Sequence, residues 1–310
     1  MEFNKYTLAF LLSVAFSYTY AQQMQPARLN TDSIKNKWKD ISYATVSAAQ
    51  KLDIYLPDTG DGPFPVIVMI HGGAFKYGDK GDPSLKPMLE GLKKGYAIVS
   101  INYRMSGEAK APQLINDVKA AIRWIRVYAK QNKLKENKMA AWGPSAGGHL
   151  SALAGTSCDV KELEDLSLGN PTISSRVQAV IDWFGPINFL TMDHQYAMLG
   201  VKGMAHSTPD SPESEVIGKH IIHAAAEVKA FNPETYITKD DPPFFIQHGS
   251  KDPLIPYLQS VVFADALYKI IGKEKVNFEL LEGEGHGGPQ FNDHKNLEKV
   301  FAFLDKHLKN

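Results

Sequence analysis

The chain has 310 residues, with 34 Lys and Arg against 34 Asp and Glu, a net charge of +0 and one cysteine. No basic run offers a footprint for nucleic acid and no acidic tail offers a docking segment. Cys158 alone cannot form an intramolecular disulfide, so stability must come from a core, which this length supplies as one large α/β domain.

The first residues read as a leader. Met1 to Lys5 is short and polar, Tyr6 to Tyr18 is mostly apolar, and Thr19-Tyr20-Ala21 supplies small residues at a cleavage position. The expectation is a signal peptide over 1–21, and hence a secreted or periplasmic protein. An apolar run of about 13 residues is too short to span a bilayer, and no other stretch reaches that length, so no membrane span is expected. The polar stretch 22–37 is expected to be poorly ordered, leaving a single domain over 38–310.

From Lys39 the pattern turns to strand. Ile41 to Val46 and Lys51 to Leu56 alternate apolar and polar residues, predicting a solvent-facing antiparallel pair. After a turn cluster at 57–63, Pro65 to Ile70 is unbroken and apolar, as in a central parallel strand. Pro87 to Lys94 reads as a helix stopped by Gly95, and Tyr96 to Ile101 as the next buried strand. Ala111 to Gln131 is predicted to be a long amphipathic helix, with Leu114, Val118, Ala121, Ile122 and Ile125 on its apolar face. Lys138 to Trp142 and Val177 to Phe184 are further strands. The stretch 185–241 is long and irregular, with helix expected near Ile217 to Lys229. Phe244 to His248 and Val276 to Leu281 close the series of strands, each followed by a helix, Tyr257 to Ile271 and Asn292 to Leu308. Strands and helices alternating in this way predict a mostly parallel sheet with helices on both faces.

One turn carries the chemistry. Gly143-Pro144-Ser145-Ala146-Gly147 is a G-x-S-x-G elbow between an apolar strand and the small-residue helix Gly148 to Ala154. Such a turn holds its serine in a strained backbone conformation with the hydroxyl projecting outward. Bulky side chains two residues either side would collide, and glycine avoids this. The serine needs a base and an orienting acid, in the chain order Ser, Asp or Glu, His. His286 is the base candidate, on the glycine loop 282–288 after the last strand. Asp252 is the acid candidate, just past the strand ending at His248, with Asp182 as the rival. The loop His71-Gly72-Gly73-Ala74 follows a central strand, and the amides of Gly73, Ala74 and Ala146 are the expected oxyanion donors. His71 itself reads as a structural histidine bracing that loop.

The stretches His71 to Phe75, Gly143 to Leu150 and His248 to Asp252 together resemble the α/β-hydrolase superfamily. Asp182-Trp183-Phe184-Gly185-Pro186 and Ser211-Pro212-Glu213-Ser214 are similar to the bacterial acetyl and feruloyl esterases grouped as bifunctional carbohydrate esterases. The likeness covers roughly Trp38 to His307. It implies an α/β-hydrolase fold with a lid-like insertion after the sixth strand and a serine esterase acting on acylated plant polysaccharide such as xylan; the residues themselves suggest no cofactor or metal. His-Gly-Gly-Ala stands where hormone-sensitive-lipase relatives usually carry a third glycine. Alanine still offers its N–H, and the change is expected to favour small esters.

The insertion 185–241 is expected to cover the site. It carries Met192, Tyr196, Met198, Met204 and His206, without the sustained apolar face of a lipase lid. Trp183, Met192 and Tyr196 are candidates to contact a feruloyl ring or a sugar, or else belong to a satellite core. His220 and His223 are spaced i, i+3, but lack further metal ligands in the sequence around them. Three other readings stay open: a prolyl-oligopeptidase-like peptidase, which usually carries an extra propeller domain for which no residues remain; a small-ester carboxylesterase or lipase; and a non-catalytic binding module, which typically loses the serine or histidine.

Overall fold

Seven consecutive buried residues, Phe64–Ile70 (β3), form the strand around which the sheet is built. In the computed structural model, which describes residues 28–309, eight strands lie in the order β1-β2-β4-β3-β5-β6-β7-β8. Besides β3 these are β1 (Lys37–Ser42), β2 (Lys51–Tyr55), β4 (Ala97–Ile101), β5 (Leu134–Pro144), β6 (Ala179–Trp183), β7 (Phe244–Gly249) and β8 (Val276–Leu281). Strands β3 to β8 are mutually parallel, and β2 pairs antiparallel with both β1 and β4. This is the α/β-hydrolase arrangement that the sequence predicts.

The period-2 alternation of each central strand divides the core in two. Val66, Val68 and Ile70 of β3 face one apolar cluster with α2 (Gln113–Val127), α3 (Ala146–Thr156) and α7 (Leu258–Ile271). Ile67 and Met69 face the other, with Met88 of α1 (Lys86–Leu89) and Leu297, Val300, Phe301 and Leu304 of α8 (His294–Leu308). All five residues expected on the apolar face of α2 are fully buried.

Several expectations need correction. The β1–β2 pair is not solvent-facing as a whole: β1 is the exposed edge, while β2 lies between β1 and β4 and is buried. The helix expected near Ile217 to Lys229 is two helices, α5 (Pro212–Ile217) and α6 (Ala225–Phe231). Gly218, at φ +79°, caps the first in the left-handed conformation and ends it. The stretch before β1 is not loose over its described part. Arg28 pairs with Asp79, the Leu29 amide donates to Gly81 O at 2.7 Å, and Thr31 is buried. The expected leader, 1–21, lies outside the described residues.

The insertion after β6 also includes α4 (Met192–Leu199). Its contacts run inward. Phe189 and Phe231 pack against Phe75 and His149. Gln259 of α7 accepts from the amides of Ile187 and Asn188 and donates to Thr191 and Gln195. The segment therefore extends the core and is pinned to α7.

Candidate active site

β5 ends at Pro144 and α3 begins at Ala146, so Ser145 must turn the chain alone. It does so at φ 55° and ψ −124°, a region that L side chains rarely occupy and that costs on the order of 1–3 kcal/mol. The Ser145 amide donates to Trp183 O at 2.8 Å and its carbonyl accepts from the His149 amide at 3.0 Å, which holds the strained conformation. A Cβ at Gly147 would stand 2.0 Å from Ile70 O. The second glycine of the motif is therefore required by the close approach of β3, a clash across the sheet beyond the clash within the turn.

The other two candidates arrive from the C-terminal ends of β7 and β8, where open parallel sheets place their ligands. His286 Nε2 lies 2.9 Å from Ser145 Oγ, and His286 Nδ1 lies 2.7 Å from Asp252 Oδ2. Asp252 Oδ1 accepts from the amides of Leu254 and Ile255 at 2.8 and 2.9 Å. Burial raises the Asp252 carboxyl, but hydrogen bonds from His248 and His286 outweigh it and hold the group well below the usual carboxylate range. The acid and base loops are tied together, since the Lys251 amide donates to Glu284 O at 2.8 Å. Phe184, itself at φ 44°, sets its ring against His286, centroids 4.6 Å apart and 61° between planes.

The loop after β3 lies against the elbow. A Cβ on Gly72 would meet Pro144 O at 2.8 Å and Ser145 Cβ at 3.4 Å. Gly73, Ala74 and Phe75 follow at φ 106°, 55° and 58°. Three successive positive φ values curl the chain tightly, and Gly73 O accepts from the amides of Lys76 and Tyr77. His71 braces this loop as expected. It is fully buried, stacks on Tyr103 at 4.5 Å, and burial lowers its pKa.

A serine within hydrogen-bond reach of an imidazole, which is in turn oriented by a buried carboxylate, is the arrangement of an activated nucleophile. The sequence pattern of the family described as BD-FAE matches residues 52–267 of this chain. The chain belongs to the BD-FAE family. It is similar to the probable carboxylic ester hydrolase LipM of Mycobacterium tuberculosis, 30% identical over 243 residues, which are 78% of this chain and 54% of the relative. Esterase LipC of the same organism is 31% identical over 247 residues, 77% of this chain and 57% of the relative. The chain spans about half the length of these curated relatives. Among solved structures, a truncated carbohydrate esterase from gut microbiota superposes with a TM-score of 0.81 at 33% identity, covering 91% of this chain and 100% of that one. The bifunctional GH43-CE protein of Bacteroides eggerthii gives 0.78 at 37% identity, covering 87% of this chain and 38% of that one.

Within this BD-FAE fold the remaining candidates separate. Asp182 does not join the triad: it is buried within β6, its Oδ1 accepts from the Gly185 amide at 2.9 Å, and burial pushes it up to about 7. Trp183, Met192 and Tyr196, left open between substrate contact and core, are core residues. The Trp183 indole donates to Gln247 and packs edge-on against Trp142 and Phe291. Met192 is fully buried, and the Tyr196 hydroxyl donates to the backbone carbonyl of Asp252 at 3.3 Å. The satellite-core alternative holds for these side chains. His220 Nε2 reaches Ser207 O at 3.2 Å, and no cluster of three or more potential metal ligands occurs among the described residues. Sequence reasoning missed His248, which approaches the acid. Its signal was a histidine four residues before the aspartate, at the end of a buried strand.

Proposed function

We propose that this chain is a serine carboxylic-ester hydrolase that removes acetyl or feruloyl groups from plant cell-wall polysaccharide such as xylan. The observation that carries the reading is the continuous relay from Ser145 Oγ through both nitrogens of His286 to Asp252 Oδ2. The similarity to proteins named carbohydrate esterases supports the polysaccharide substrate. The relatives named esterases and carboxylic ester hydrolases support the reaction class.

In this mechanism His286 Nε2 takes the hydroxyl proton as Ser145 Oγ bonds to the ester carbonyl carbon. The amides of Gly73, Ala74 and Ala146 receive the charge that develops on the carbonyl oxygen. Collapse breaks the bond to the sugar oxygen, which takes the proton from the imidazolium and leaves. Water then repeats the sequence on the acyl-serine, freeing the acid and restoring Ser145. Asp252 keeps a proton on Nδ1 and stabilises the charged ring. Export through a leader ending near Ala21 completes the proposal, and the N-terminal residue of protein recovered outside the cytoplasm tests it.

The deciding experiment compares acid release from acetylated xylan and from methyl ferulate, with Ser145→Ala as the blank. Acetate alone defines a deacetylase with a small acyl pocket, and ferulate as well shows room for an aromatic acyl group. Release of neither, with 4-nitrophenyl acetate still cleaved, overturns the polysaccharide assignment and leaves a small-ester carboxylesterase.

A further inference from the structure

The carboxylate of Asp252 serves two imidazoles. His248, at the end of β7 and wholly buried, places Nε2 3.2 Å from Asp252 Oδ2 and 3.0 Å from Ile255 O. Its Nδ1 lies 2.7 Å from Ser260 Oγ, on α7. The network fixes the tautomer. A hydrogen on Nδ1 alone would leave the Nε2 lone pair facing a carbonyl and a carboxylate, two acceptors with no proton between them. With the hydrogen on Nε2, the ring donates to both oxygens and its Nδ1 accepts the Ser260 hydroxyl, so every polar atom is satisfied.

We infer that His248 is a positioning residue for the acid of the triad, its Nε2–H sharing Asp252 Oδ2 with His286. This deepens the esterase reading proposed above and rests on it. The physical consequence follows from competition for one oxygen. A second donor on Oδ2 draws off part of the negative charge that His286 Nδ1–H would otherwise receive, and it prevents the carboxylate from rotating away. The same ring ties Asp252 to Ile255, whose amide donates to Oδ1, so one histidine sets both oxygens. The other ionisable neighbours do not duplicate this role. Tyr196 reaches only the backbone carbonyl of Asp252, and His206 Nε2 reaches Leu254 O at 2.9 Å.

Two measurements test the inference. The first is the imidazole ¹⁵N spectrum of the wild-type protein at neutral pH, in which His248 is expected as the Nε2–H form. A His248 spectrum showing the Nδ1–H form overturns the proposal without any variant. The second is the pH profile of kcat/KM on 4-nitrophenyl acetate for His248→Phe and His248→Gln. The phenyl ring cannot donate, so kcat should fall about tenfold and the acid limb should move to higher pH by ~0.5 unit or more. Gln retains an N–H at similar reach and should restore part of both. A folded His248→Phe protein with wild-type kcat and an unmoved limb overturns the inference. Should that variant fail to fold, Ser260→Ala, which removes the partner of Nδ1 and leaves the triad intact, should shift the limb in the same direction by less, and no shift overturns the inference. Failure of the esterase reading is seen separately, as wild-type protein with no hydrolysis that depends on Ser145.

Discussion

Asp182 and Gly185 close a buried ring beneath the elbow, the carboxylate Oδ1 accepting the Gly185 amide at 2.9 Å while Oδ2 has no hydrogen-bond partner among the described residues. Burial is the larger influence on this carboxyl and raises it to about 7, with the Gly185 amide pulling the other way. An acid whose folded value lies above its unfolded one favours the protonated form in the native state. The native state therefore binds more protons between about pH 4 and 7, and stability falls as pH rises through that window. Above it both states are ionised and the full penalty, on the order of 4 kcal/mol, is present. Asp182→Asn removes the charge and keeps the acceptor for Gly185. We expect its melting temperature to exceed the wild type at pH 8, the difference vanishing near pH 4, with turnover nearly unchanged. A loss of turnover near 10⁴ would instead give Asp182 the acid role that the geometry gives to Asp252.

Asp252→Asn should show the opposite pattern. The expected loss in kcat is about 10⁴, because an amide at this position can hold the wrong tautomer of His286. Stability responds with the opposite sign to Asp182. A carboxyl held below its ordinary value contributes stability above that value and loses it as pH falls toward the depressed one. Wild-type protein should therefore lose melting temperature more steeply than Asp252→Asn below about pH 4. Parallel melting curves for the two proteins from pH 5 to 2.5 would mean that the hydrogen bonds to Asp252 do not bias its ionisation.

The reading of strands and elbow from sequence succeeded where one physical signal dominated. An unbroken apolar run such as Pro65 to Ile70 has few homes other than a strand covered on both faces, and G-x-S-x-G is constrained by backbone clashes that only glycine escapes. The three candidates Ser145, Asp252 and His286 meet because each follows the C-terminal end of a parallel strand, so chain order and strand order run together. Trp183, Met192 and Tyr196 stayed open between substrate contact and core because an aromatic or methionine in an irregular segment carries no periodicity to say which way it points, and their burial decides for the core. Their burial depends on long-range partners, Gln247 for Trp183 and the Asp252 carbonyl for Tyr196, each more than 50 residues away. His248 differs: its partners Asp252, Ile255 and Ser260 lie within twelve residues, but the spacing alone does not say that the chain folds back to bring them to one ring.

With those aromatics in the core, the proposed polysaccharide reading needs another surface for a sugar ring. Tyr77 is 56% exposed and sits on the loop beside the candidate oxyanion donors, its amide donating to Gly73 O at 2.8 Å. Lys76, with its ammonium 5.8 Å from the Tyr77 ring centroid, is tied to Glu215 of α5 at 2.6 Å. A sugar face on this ring, taken at the scale of an aromatic pair of about 0.5–1.5 kcal/mol, is roughly a twofold to twelvefold effect. Tyr77→Ala should raise KM on acetylated xylo-oligosaccharides by that factor and leave 4-nitrophenyl acetate untouched. An equal loss on both substrates would show instead that the loop itself had been disturbed.

Ala74 tests the loop from the other side. It occupies φ 55°, where an L side chain is strained by roughly 1–2 kcal/mol and glycine is not. Ala74→Gly relieves that strain but frees the unfolded chain, which costs back about 0.4–1 kcal/mol, so stability should change little. The amide stays in place, so hydrolysis of 4-nitrophenyl acetate should remain within a few-fold of wild type. What changes is room: the methyl group next to the candidate oxyanion donors is gone. If that methyl restricts the site to small esters, the variant should gain activity on acetates of tertiary alcohols relative to 4-nitrophenyl acetate. A variant that loses activity on both substrates alike would mean that the alanine side chain holds the donor in place, and that selectivity for small esters has another source.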